Sequence, residues 1–109
     1  MTKEKGMLVK DMGDGSFLVT GITGEKFLKQ NFPEKFLRLV EAECKSAKTI
    51  ILLLEDIHAL YKAGINRVIM IKKALSHIHK KMVFICPGMC PEQMELLKKA
   101  GVESSKEMI

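Results

Sequence analysis

The residues best equipped for chemistry fall in three short stretches. Cys86-Pro-Gly-Met-Cys90 sets two thiols between an apolar run and a proline, a place where a redox pair or half of a metal site is often built. The spacing is not C-x-x-C, and no second Cys/His pair completes a tetrahedral site, so Cys86 and Cys90 read as small hydrophobes. Asp56 and His58 follow an aliphatic run, at the strand end where α/β sheets hold ligands, and an acid/base role there is chemically sensible. No third group in the sequence orients that histidine. His77 and His79 are two apart on a helical pattern and point in different directions, which disfavours joint metal ligation. Gly21-Ile-Thr-Gly24 follows a hairpin strand, and a turn explains it better than a phosphate cradle. The G-x-G-x-x-G, P-loop, G-x-S-x-G and H-E-x-x-H signatures do not occur. The expectation is a protein without catalytic activity, cofactor, metal or disulfide.

The elements that would position these residues are marked by periodicity. Met7-Leu8-Val9 and Phe17-Leu18-Val19 flank Gly13-Asp14-Gly15 and predict a β-hairpin. From Pro33 to Ala47, Phe36, Leu37, Val40 and Cys44 recur at helical spacing among charged residues. Ile50 to Leu54 is a continuous aliphatic run, which predicts a central strand covered on both faces. Beyond the link Glu55–Leu60, the series Tyr61, Ile65, Val68, Ile71, Leu75, Ile78 predicts a second amphipathic helix to about His79. Met82 to Cys86 predicts a strand, Pro91 to Lys99 a helix stopped by Gly101, and Val102 a short last strand. The order predicts an α/β fold: a hairpin, then alternating helices and strands forming a mixed, largely parallel sheet with helices packed on it.

Composition narrows the function classes. A chain of 109 residues with 47% hydrophobic and 28% charged residues is ordinary globular material, so one domain spanning 1–109 is expected. The longest aliphatic run is far below the ~20 residues that span a bilayer, no signal-like stretch opens the chain, and the three cysteines form an odd set. A cytoplasmic protein is expected. The net charge of +5 comes from dispersed lysines with only Arg38 and Arg67 as arginines, no Trp and one Tyr, a poor match to nucleic-acid readers and compatible with an acidic protein partner.

The stretch from Lys48 to Val68 resembles the centre of STAS domains, the fold of bacterial anti-sigma factor antagonists. What matches is the layout: a buried strand, a short loop, and Ala63-Gly64-Ile65 opening a long helix. Met82 to Cys86 and Met94 to Gly101 continue it, and the preceding hairpin and helix agree in order. The resemblance implies a regulatory domain that binds an anti-sigma factor and takes part in transcription regulation. In that family the helix opens with Asp-Ser-Ala/Ser-Gly, whose serine is phosphorylated by the partner kinase. Here Tyr61 and Lys62 occupy the first two positions, and Leu53 replaces the strand aspartate, so the phosphorylation switch is expected to be lost while partner binding persists.

Lys62 sets a cation at the positively polarised start of the helix, which is explained either by a side chain turned to solvent or by an acidic partner group. At about 100° per residue, Lys62, Asn66, Met70, Lys73 and His77 lie along the side of the helix away from its apolar stripe. The expected partner surface is therefore Tyr61, Lys62, Ala63, Gly64, Asn66, Met70 and Lys73. The alternative is a small-ligand or nucleotide sensor using the loop 55–64.

Overall fold

The computed structural model describes residues 6–107. Its elements are β1 (Leu8–Asp11), β2 (Ser16–Ile22), α1 (Gly24–Leu28), α2 (Phe32–Glu43), β3 (Thr49–Leu54), a 3-10 turn (Ile57–Ala59), α3 (Lys62–His77), β4 (Lys81–Ile85), α4 (Pro91–Lys99) and β5 (Glu103–Ser105). The strands form one sheet in chain order, with β1 antiparallel to β2 and every later neighbour parallel. The mixed α/β architecture expected from the hydrophobic runs is present.

Register divides the strand residues between two faces. Val19, Leu52 and Phe84 stand side by side in one row, fully buried beneath the helices. Phe27 of α1, Phe36 of α2, Val68 and Ile71 of α3, and Leu97 of α4 close over them in a single core. Leu18, Leu53 and Ile85 point the other way and form a separate small cluster with Ile51 and Val83, to which no described helix contributes. The expectation that β3 is covered on both faces holds in part: among the described residues the helices lie on one side, and on the other Leu53 is buried while Ile51 is half-buried. A continuous aliphatic run records burial but not its source, and adjacent strands shield one another's side chains.

Local chemistry sets the helix limits. Thr23 caps α1, a helix the periodicity did not predict, by accepting from the Lys26 N–H at 3.1 Å. The Phe27 and Phe32 rings, 5.3 Å apart edge to face, fasten α1 to α2. α2 stops at Glu43, short of the expected Ala47, and Lys80 Nζ donates to the carbonyls of Lys45 and Ala47 just beyond it, at 3.0 and 2.7 Å. α3 and α4 both end in paired bonds that run back into the last turn, from His79 and Lys80 to Ser76 and Leu75, and from Gly101 and Val102 to Lys98 and Leu97. Gly101 fills the left-handed position of the second motif. In the first, His79 holds it at φ 62° and lies outside the helix on which it was expected.

Candidate functional site

The C-terminal edge of the sheet is where the chain crosses from β3 into α3. Asp56 Oδ1 accepts from the His58 backbone N–H at 3.0 Å, so this aspartate caps the 3-10 turn instead of orienting the exposed His58 ring. Its carboxyl also lies over the start of α1, close enough to Gly24 that a Cβ there would collide with it. The two cysteines nearby are separated by environment, with Cys86 buried and Cys90 exposed. Burial, reinforced by the negative charge of Asp56, pushes the Cys86 thiol up to about 11, and burial beside Glu43 does the same to Cys44. Thiols held in the protonated form are poor nucleophiles. Among the described residues no group of three His, Cys, Asp or Glu is arranged to hold a metal ion, and no helix is long and apolar enough to cross a membrane.

α3 leaves this edge tightly packed against the turn before it. A Cβ on Gly64 would overlap the Ala59 carbonyl oxygen and sit 3.0 Å from its carbon, so only glycine lets the first turn of the helix approach the 3-10 turn this closely. That contact fixes the direction in which the flanking residues project. Tyr61, Lys62 and Ala63 are exposed, and Tyr61, the residue before the helix, provides no side-chain cap. The first turn of α3 contains no carboxylate and carries exposed Lys62 at the positively polarised end of the helix.

Between α3 and α4 runs an open groove of about 570 Å³. Tyr61, Lys62 and Asn66 line it from the α3 side, with Leu60, Ile65 and Ile69 beneath. α4 contributes Glu92, Gln93 and Leu96. Gln93 braces the two walls: its Oε1 accepts from the Cys90 N–H at 2.9 Å and its Nε2 donates to the Leu60 carbonyl at 2.9 Å. One amide thus ties the start of α4 to the loop that leads into α3.

The residues expected to form one contact surface therefore separate. Tyr61, Lys62 and Asn66 share the groove, while Gly64 is buried and does a packing job. Met70 and Lys73 are exposed as expected but outside the groove, Lys73 lying in a shallow depression with Lys72, Ser76 and His77. The α4 wall is absent from the sequence reading. A hint of it lies in Leu96-Leu97, since neighbours about 100° apart on a helix point in different directions. Leu97 is fully buried and Leu96 is 52% exposed.

No protein-family profile, curated protein or solved structure matches this chain.

Proposed function

We propose that this chain is a STAS-type, non-catalytic regulatory module that binds an anti-sigma factor through the β3–α3 junction and works without serine phosphorylation. The observation that carries the reading is the junction itself. Gly64 presses the first turn of α3 onto the turn at Ile57–Ala59, and Tyr61, Lys62 and Asn66 stand exposed around that rigid corner beside an apolar groove. A preordered corner with exposed aromatic and charged groups suits recognition, because little freedom is lost on docking. The order of elements, with a hairpin leading into a parallel sheet and the long helix opening after the central strand, supports the same reading.

Lys62 stands where the family has its serine and has no hydroxyl to accept a phosphate. Its positive charge is the reverse of the phosphorylated, non-binding state, so the module is permanently in its binding form. The test is calorimetric titration of the purified chain with a cognate anti-sigma kinase, followed by mass spectrometry of residues 61–64. Saturable binding with no phosphate gained is expected. Absence of binding, or a phosphate on Tyr61, would overturn the reading.

A small-ligand sensor using the loop 55–64 is the second reading, and the groove volume favours it by falling in the range of small-molecule sites. A rise in melting temperature with a nucleotide or metabolite, lost in Tyr61→Ala, would select it.

A further inference from the structure

The groove between α3 and α4 is preformed, and its walls specify what fits it. Leu60, Ile65 and Ile69 make an apolar floor. Leu96 on one rim and Tyr61 at the mouth, 52% and 70% exposed, are large apolar groups left in water. The amide that reaches the floor is already engaged at both ends, since Gln93 is bonded to Cys90 and to Leu60. The floor itself is apolar, and the polar groups of the groove, Lys62, Asn66 and Glu92, belong to exposed residues around it. An aliphatic or aromatic side chain would displace water from the floor and cover Leu96 and Tyr61 together.

Charge narrows the occupant. The groove meets Lys62 at the start of a sixteen-residue helix whose N-cap residue, Tyr61, gives no side-chain cap, a combination favourable to an anion. Glu92 also lines the groove, at the start of α4 that Gln93 ties to the loop before α3. Lys62 also sits unfavourably against the dipole of its own helix, a local conflict that an incoming carboxylate would relieve.

Building on the partner-binding reading above, we infer that the α3–α4 groove receives a short segment of a protein partner in which a large apolar side chain enters between Ile65, Ile69 and Leu96 while a neighbouring carboxylate reaches Lys62 and the open start of α3. The carboxylate takes the place that a capping Asp or Ser would hold within the chain. The apolar anchor supplies affinity, and the acid sets register and salt dependence.

The experiment selects random short peptides displayed on phage against the folded chain. Enriched peptides should carry Leu, Ile, Phe or Met beside Asp or Glu. A synthetic consensus peptide should bind Leu96→Glu at least tenfold more weakly than the parent and Lys62→Gln several-fold more weakly, with a flatter salt dependence. Both positions are exposed, so circular dichroism should show unchanged folding, and Leu8→Glu on the distant edge strand should bind like the parent. No enrichment, a consensus without an acid, or equal affinity for Leu96→Glu overturns the inference. So does a concentration-dependent dimer abolished by Leu96→Glu, which would assign the groove to a second copy. The two readings fail separately. An anti-sigma factor that binds the parent and Leu96→Glu equally removes the groove and keeps the partner, whereas peptides that select as described beside an anti-sigma factor that does not bind remove only the partner class.

Discussion

Gly64→Ala puts the β3–α3 corner under direct strain. In an ordinary exposed helix this change is favourable by about 0.5–1 kcal/mol, because alanine loses less backbone freedom than glycine on folding. Here the new methyl overlaps the Ala59 carbonyl oxygen and lies 3.0 Å from its carbon, and the obstacle is backbone that cannot swing aside as a flexible side chain would. Relief requires moving the first turn of α3 away from the 3-10 turn, which loosens Leu60 and Ile65 and strains the 2.9 Å bond from Gln93 to the Leu60 carbonyl. Overpacking of this kind costs about 1–3 kcal/mol, and clashes with backbone sit at the upper end. The net result is destabilisation of about 1–2 kcal/mol. For a domain of this size each kcal/mol lowers the melting temperature by about 4–8 °C. Urea and thermal denaturation followed by circular dichroism measure it, with Ala63→Gly as the comparison: Ala63 is exposed one residue earlier, and its change should lose only about 1 kcal/mol by propensity. Gly64→Ala more stable than the parent would refute the close approach on which the corner is built.

The remaining predictions concern other positions. His79 occupies a left-handed conformation at φ 62°, so His79→Gly should stabilise the chain by about 1 kcal/mol in denaturant titration. Lys80→Met removes the donor from the carbonyls of Lys45 and Ala47 and should cost about 1–3 kcal/mol, more than Lys81→Met at the exposed neighbour. Cys90 should react with a thiol reagent in the native state, while Cys44 and Cys86 react only on unfolding. Because burial raises both thiols from 9.0 to about 11, the folded chain keeps their protons when the unfolded chain has lost them. Stability should therefore fall as pH rises from 9 towards 11, and less steeply in Cys44→Ala and Cys86→Ala variants.

The strand and helix order was legible because burial imposes it: runs such as Ile50–Leu54 and the stripe through Ile65, Val68, Ile71 and Leu75 leave few alternatives. α1 was missed because five residues are too few to show a period, and its markers, the Thr23 cap and buried Phe27, mean little until a fold surrounds them. The one-sided packing of the sheet was missed because Leu18, Leu53 and Ile85 read as core residues in sequence whichever neighbours bury them. Of the candidate site, the α3 side was legible from the helix period. The α4 side was not, because Glu92, Gln93 and Leu96 join the groove only through tertiary packing.

The proposed placement of the partner surface is tested most directly by comparing two charge reversals in calorimetric titrations with the anti-sigma factor proposed as its partner. Lys62→Glu sets a carboxylate at the start of α3, where it should stabilise the isolated chain by about 0.3–1 kcal/mol while repelling an acidic partner group. Lys10→Glu makes the same change on exposed edge strand β1, beside the face no described helix covers. Binding weakened at least tenfold by Lys62→Glu and unchanged by Lys10→Glu is the expected result, whereas full affinity in Lys62→Glu with loss in Lys10→Glu would move the contact to the face of the sheet that no described helix covers.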